Sequence, residues 1–239
     1  MPDDPIAIYK RQAAERATEF VGSGMVVGLG HGSTAAFAVR RIAERLMLGE
    51  LTDIVAVPCS NAVAAMARDL GILLTSLDAH LTVDVTIDGA DEVDPGMNLI
   101  KGGGGALLRE KTVALASRRE IIVVDESKLS RQLGTRFALP VEVVPVAAAS
   151  EAEYLVSLGA AVTRRGGDNP FVTDGGNVIL DCRWPGIEDP HELARLLDRR
   201  PGIAAHGLFL DLTTDLIVAG GQGLRCFERG QDWTAVITP

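Results

Sequence analysis

The sequence predicts an α/β fold: a mostly parallel sheet with helices on both faces, carrying a smaller inserted α+β domain. Three observations lead there. Short apolar runs at 25–30, 54–57, 83–87 and 121–124 alternate with segments of helical periodicity, as expected for strands buried on both sides. Glycine-rich or acidic turns follow the strands, where open α/β sheets bind ligands beyond the strands' carboxyl ends. From Phe137 onward, closely spaced strand and helix patterns fill about seventy residues, a size suited to a small domain.

Taken in order, Ile6, Ile8, Ala13, Ala14, Ala17 and Phe20 give a helix over 5–21, with Lys10 on it and Gly22 and Gly24 stopping it. A buried strand over 25–30 runs into His31-Gly32-Ser33-Thr34, and Phe37, Val39, Ile42 and Leu46 continue as a helix. Strand, glycine turn and helix form an anion-binding arrangement. A strand over 54–57 leads through Pro58-Cys59-Ser60-Asn61 into a helix over 62–70, followed by short strands at 72–75 and 83–87. The latter ends in Asp88-Gly89-Ala90-Asp91-Glu92-Val93-Asp94. Lys101 then precedes Gly102, Gly103, Gly104 and Gly105, a helix follows over 106–117, and a strand over 121–124 is closed by Asp125. The inserted domain opens on the apolar, proline-containing run 139–146 and should hold helices at 150–158 and 190–199, and strands near 161–164, 171–173, 177–182 and 203–207. Residues 216–219 read as a strand returning to the first domain, and 220–239 have no readable pattern. The expected division is therefore 1–136 with 208–239, and 137–207.

Composition narrows the function. The 239 residues are 47% hydrophobic, enough for a sizeable core. Cys59, Cys182 and Cys226 have no metal-ligand spacing and form an odd set, which points to a reducing compartment, the cytoplasm, and to packing roles. The opening Met1-Pro2-Asp3-Asp4-Pro5 does not resemble a signal peptide, and the uncharged stretch 20–39 is too rich in glycine and hydroxyl groups for a membrane span. A formal charge of −9 without a basic tract, and only 4% aromatic residues, count against nucleic acid or anionic membrane as a partner.

Four consecutive glycines, each costing on the order of 1 kcal/mol in a regular element, imply bare backbone that something approaches closely. With Lys101 before them and a helix start after, they form an anion site. Glu110 falls in the stripe Leu107, Glu110, Val113, Ala114, the face expected inward. Burial there would raise its pKa and suit it to act as a base; the alternative is a solvated glutamate paired with a neighbouring cation. In Gly28-x-Gly30-x-Gly32-Ser33-Thr34, Ser33 stands where a dinucleotide fold needs glycine, and the P-loop lysine is missing, leaving a small phosphate or a plain tight turn. The acidic run 88–94 could hold a divalent metal or be a surface turn. A third reading has Asp88 and Asp91 binding sugar hydroxyls and relaying protons. Together these groups suggest proton transfer next to the carbonyl of a phosphorylated small molecule, with Lys101 and the glycine amides stabilising an enediolate.

The same residues resemble those of type A ribose-5-phosphate isomerases along most of the chain. The shared motifs are the glycine turn with Ser33 and Thr34, Asp-Gly-Ala-Asp-Glu at 88–92, Lys-Gly-Gly-Gly-Gly-Ala-Leu followed by Arg-Glu-Lys at 101–111, and Asp-Glu-Ser-Lys at 125–128. Leu-Pro-Val-Glu-Val at 139–143 and Thr-Asp-Gly-Gly-Asn at 173–177 complete them. The resemblance implies reversible conversion of ribose 5-phosphate to ribulose 5-phosphate, in the pentose phosphate pathway, without metal or organic cofactor. It implies Glu110 as base, Lys101 facing the reacting oxygens, and Asp88 and Asp91 in ring opening and proton relay. Gly30, His31, Gly32, Ser33, Thr34, Gly89, Ala90, Gly102, Gly103, Gly104 and Lys128 are implied as substrate-binding positions, with Lys10 as a helper. A Rossmann-like domain, a ferredoxin-like smaller one, and a homodimer or homotetramer follow from the same source. His31 departs from the threonine usual there, which would make substrate affinity depend on pH where histidines titrate. The rival readings are a non-catalytic sugar-phosphate sensor and another sugar-phosphate enzyme on a related fold.

Overall fold

The computed structural model describes residues 4–231; the expected assignments at 1–3 and 232–239 lie outside the described residues. The first half of the chain runs α1 (Pro5–Thr18), β1 (Val26–Leu29), α2 (Ala35–Met47), β2 (Val55–Pro58), α3 (Asn61–Asp69), β3 (Val85–Asp88), β4 (Glu92–Val93), β5 (Leu99–Ile100), α4 (Leu107–Ala116) and β6 (Glu120–Asp125). The second half runs β7 (Leu139–Val143), α5 (Ala148–Ser157), β8 (Ala161–Arg164), β9 (Val178–Arg183), α6 (Pro190–Asp198), β10 (Ile203–His206), β11 (Leu208–Phe209), β12 (Asp215–Gly220) and β13 (Gly223–Glu228). No helix among the described residues is long and apolar enough to cross a membrane.

Two compact units divide the chain: Met1–Ala90 with Arg109–Lys128 and Leu212–Pro239, and Asp91–Leu108 with Leu129–Asp211. The first holds a six-stranded sheet in the order β13-β12-β6-β3-β1-β2, parallel throughout except for β13. Its strands carry apolar side chains on both faces because both are covered. Val27, Leu29, Ala56, Val85, Ile87, Ile121, Val123, Ile217 and Ala219 form one core with α1, α2 and α3. On the other face Val57 packs with Val83, Cys59 and Val113 of α4. Alternation along β2 sends Ala56 and Val57 to opposite sides, as the two-residue period of a strand requires. At the edge of this core Arg119 donates to both Asp215 oxygens, 2.8 and 2.5 Å. Burial pushes the Asp215 carboxyl up, but its hydrogen bonds from Arg119 and Thr214 and the guanidinium charge outweigh this and hold it below the ordinary value.

The second unit has two antiparallel sheets, β10-β7-β9-β8 and β11-β5-β4. Leu139, Val141, Val143, Leu155, Leu180 and Leu197 build its core. Ile100 and Leu208 belong to that core as well, and β5 pairs with β11 through Leu208↔Ile100 and Phe209↔Leu99. This pairing is why the division differs from the expected boundaries at 136/137 and 207/208: residues 91–108 are held by partners a hundred positions away. Two further expectations change. Residues 72–75 make only one bridge, Leu74 with Ala56, and 171–173 only one, Val172 with Val178, in place of strands. The unreadable segment after 220 contains β13, turned back on β12 with Gly220 opposite Gly223.

Candidate active site

In the first unit the candidate residues collect at the carboxyl ends of β1, β2 and β3. Gly30 follows β1 and must lack a side chain, since a Cβ there would lie 2.3 Å from the Asp88 carboxylate. Asp88 ends β3 with 1% of its surface exposed. Its Oδ1 accepts the backbone N–H of His31 at 3.0 Å and of Gly89 at 2.7 Å, so one carboxylate oxygen ties two turns together. Ser60 caps α3 by accepting the Val63 N–H at 3.1 Å, and the same hydroxyl lies 2.9 Å from His31 Nδ1. His31 thus has a partner on β2's turn that its position in the sequence does not reveal. Gly32, at φ +110°, opens the turn into α2. Ser33 is exposed and accepts from Lys10 Nζ of α1 at 3.1 Å, while Thr34, the residue capping α2, does not use its side chain for that purpose. The start of α2, where the Ala36 and Phe37 N–H groups already donate to the Gly32 and Thr34 carbonyls at 3.0 Å, therefore meets the Ser33 hydroxyl and the Lys10 ammonium at one place, a combination suited to an anion. Lys128 is partly exposed in the 3₁₀ turn that follows β6.

Glu110 lies in this unit as well, on α4, and is 4% exposed. The stripe read from the sequence is all buried: Leu107 at 0%, Val113 at 3% and Ala114 at 4%. A carboxylate on that stripe sits away from bulk water, which is what a base acting on a weak carbon acid requires.

The second unit holds Asp91 and the lysine-glycine run. Lys101 is 2% exposed, its N–H donates to the Gly207 carbonyl at 2.9 Å, and its ammonium stands 5.4 Å from the centre of the Phe209 ring. Gly102 and Gly105 have φ of +102° and +82°, a region that excludes other residues at low cost. The Gly103 N–H donates to Asp91 Oδ2 at 2.7 Å and the Gly105 N–H to the Gly102 carbonyl at 3.0 Å. The sequence suggested four bare amides; two of them are spent on building the loop, and the Gly104 peptide remains at the exposed crest.

The acidic run separates into distinct duties. Glu92 is fully buried, and its two oxygens accept N–H groups of Gly134, Arg136 and Phe137 and the Thr135 hydroxyl. Asp94 closes a turn onto Asn98. Among the described residues no group of three or more His, Cys, Asp or Glu side chains is placed to hold a metal ion. Cys59 and Cys182 are buried, and burial, with Asp181 adding to it, pushes the Cys182 thiol up to about 12, so it stays protonated; Cys226 is exposed on β13. Sequence reading missed Ser60, whose cue was a serine directly before a helix, and Arg165, which donates to the Gly102 and Gly103 carbonyls and whose place in a loop gave no cue.

The chain matches the family described as ribose 5-phosphate isomerase A (phosphoriboisomerase A) over residues 55–223. It is 57% identical to the ribose-5-phosphate isomerase A of Chloroflexus aurantiacus over 218 residues, covering 90% of this chain and 91% of that one. A solved ribose 5-phosphate isomerase from Plasmodium falciparum superposes with a TM-score of 0.91 at 36% identity, covering 94% of this chain and all of the other. A D-ribose-5-phosphate isomerase solved in complex with phospho-erythronic acid gives 0.90 at 40%, covering 92% and 97%. With identity at this level over nine-tenths of its length, the chain belongs to the ribose 5-phosphate isomerase A family.

Proposed function

We propose that the chain carries out its family's reaction, the interconversion of D-ribose 5-phosphate and D-ribulose 5-phosphate, by proton transfer through an enediolate with Glu110 as the base. The observation that carries this is the burial of Glu110 on α4, directly after the lysine-glycine loop. Glu110 takes the proton from C2 of the opened aldose. The electron pair of the broken C–H bond forms the C1–C2 double bond, and negative charge moves to O1. Glu110 then returns the proton to C1, and C2 becomes the carbonyl. Lys101 and the glycine-loop amides stabilise the charged oxygen, each well-aimed donor being worth about 10²–10³ in rate. Asp88 and Asp91 share ring opening, hydroxyl binding and the movement of protons between O1 and O2. Ser33, Thr34 and the start of α2 receive the phosphate, with Lys10 adding charge; His31, Gly30, Gly32, Gly89, Ala90 and Lys128 complete the binding positions.

The relative solved with phospho-erythronic acid holds a phosphorylated acid, which supports a site for a phosphorylated sugar here. The reaction belongs to the non-oxidative branch of the pentose phosphate pathway. Three free cysteines support a cytoplasmic setting, and a homodimer or homotetramer is the assembly this reading expects.

Product analysis tests it. Ribose 5-phosphate incubated with the protein in EDTA is expected to give ribulose 5-phosphate at an undiminished rate. Absence of that product, or its appearance only after a divalent metal is restored, contradicts the reading.

A further inference from the structure

We propose that Arg165 is a positioning residue for the isomerisation: its guanidinium fixes the peptide planes of the glycine loop so that the Gly104 N–H is held ready for the developing oxyanion. The inference rests on the isomerase reading above and adds a residue outside the lysine-glycine motif.

Arg165 follows β8 and is held from several directions. Its Nε and Nη2 donate to the two oxygens of Asp181 on β9 at 2.9 and 2.5 Å, and its side chain is 17% exposed. Its own N–H donates to the Ile179 carbonyl at 2.9 Å, and its carbonyl accepts the Phe171 N–H at 3.0 Å. Phe171 lies 5.9 Å from the guanidinium, ring centre to Cζ, and packs so tightly on Gly105 that a Cβ there would come within 2.4 Å of the ring. The third nitrogen, Nη1, faces the glycine loop. It donates to the carbonyls of Gly102 at 2.9 Å and Gly103 at 3.1 Å.

Those two bonds determine what the amides do. The described chain has no cis peptide, and in a trans peptide the N–H points opposite to the C=O. With the Gly102 carbonyl turned to Arg165, the Gly103 N–H must point away, and it does so, onto Asp91 Oδ2 at 2.7 Å. The same rule applied to the Gly103 carbonyl directs the Gly104 N–H away from Arg165, at the exposed crest of the loop. Glycine is the residue most free to turn its peptide planes, so an unanchored run of four would lose this alignment. A lysine cannot replace the arginine, because a single ammonium lacks the planar fork that grips Asp181 while spanning two carbonyls.

The test compares the wild-type chain with Arg165→Lys, Arg165→Ala and Asp181→Asn in steady-state kinetics with ribose 5-phosphate, alongside thermal melts. The expected result is a kcat about 10–100-fold lower in both Arg165 variants, with KM changed by less than about threefold. Asp181→Asn is expected to fall between them and wild type. Low-millimolar guanidinium, which can re-occupy the vacated site, should restore part of kcat in Arg165→Ala and none in Arg165→Lys; ammonium should restore none. Should Arg165→Ala fail to fold, the Lys and Asn variants decide the matter on the kcat criterion alone. A kcat within threefold of wild type in folded variants, or a loss confined to KM, overturns the inference and leaves the isomerase reading standing. A wild-type chain that forms no ribulose 5-phosphate strikes that reading itself.

Discussion

Glu110→Gln is expected to lower kcat by about 10³-fold while leaving the fold intact and KM within a few-fold of wild type. A positioned general base contributes roughly 10²–10⁴ in rate, and the carbon acid next to an aldehyde is too weak to ionise without one. Glutamine has the same shape, so the buried stripe of α4 keeps its packing. It carries no charge, so the substitution removes a buried carboxylate without leaving a cavity. Ser33, Thr34 and Lys10 are untouched, and substrate still binds. Steady-state kinetics with a parallel thermal melt checks this. A kcat reduced less than about tenfold would remove Glu110 from the chemistry.

Glu92→Gln is expected to cost about 3 kcal/mol of stability, or roughly 6–12 °C in Tm, although the side chain keeps its size. Glu92 is 0% exposed and receives four donors: Gly134 at 2.9 Å and Phe137 at 3.1 Å on one oxygen, Arg136 and Thr135 at 3.1 Å each on the other. An amide replaces one acceptor with an NH₂ group, so two donors then face a donor in a dry interior. Each lost bond to a charged group costs about 1.5–3 kcal/mol, partly recovered by relaxation. Thermal denaturation monitored by circular dichroism reads the effect. A Tm within about 2 °C of wild type would show that these bonds contribute no net stability.

Legibility in the sequence followed the range of the forces involved. Glu110 was readable because its neighbours at three- and four-residue spacing sit on the same helix, and that spacing alone fixes the buried face. Gly28 and Gly30 were readable as a turn motif, although the reason each must be glycine, the approach of Thr86 and Asp88 from β3, appears only in the folded chain. Glu92 had no role of its own in the acidic run, where Asp88 and Asp91 were singled out, and only the loop at 134–137, some forty positions on, gives it a separate duty. The same limit displaced the domain boundary, because β4 and β5 are two residues each and owe their existence to Leu208 and Phe209. β13 escaped notice because it is a mostly exposed edge strand in which Leu224, Cys226 and Phe227 do not alternate cleanly with polar residues; the Gly221-Gln222 turn was its one local cue. Arg165 left no local mark, since its function lies in two carbonyls more than sixty residues earlier.

The most direct measurement is isomerisation of ribose 5-phosphate in deuterium oxide, with the ribulose 5-phosphate analysed by NMR. A carboxylate that carries the proton between C2 and C1 exchanges it with solvent, so deuterium should appear at C1 of the product formed by wild type, and Glu110→Gln should form almost no labelled product. Ribulose 5-phosphate that stays free of deuterium at C1 even after many turnovers in both directions would mean the hydrogen never resides on an exchangeable carboxylate, and would contradict the account.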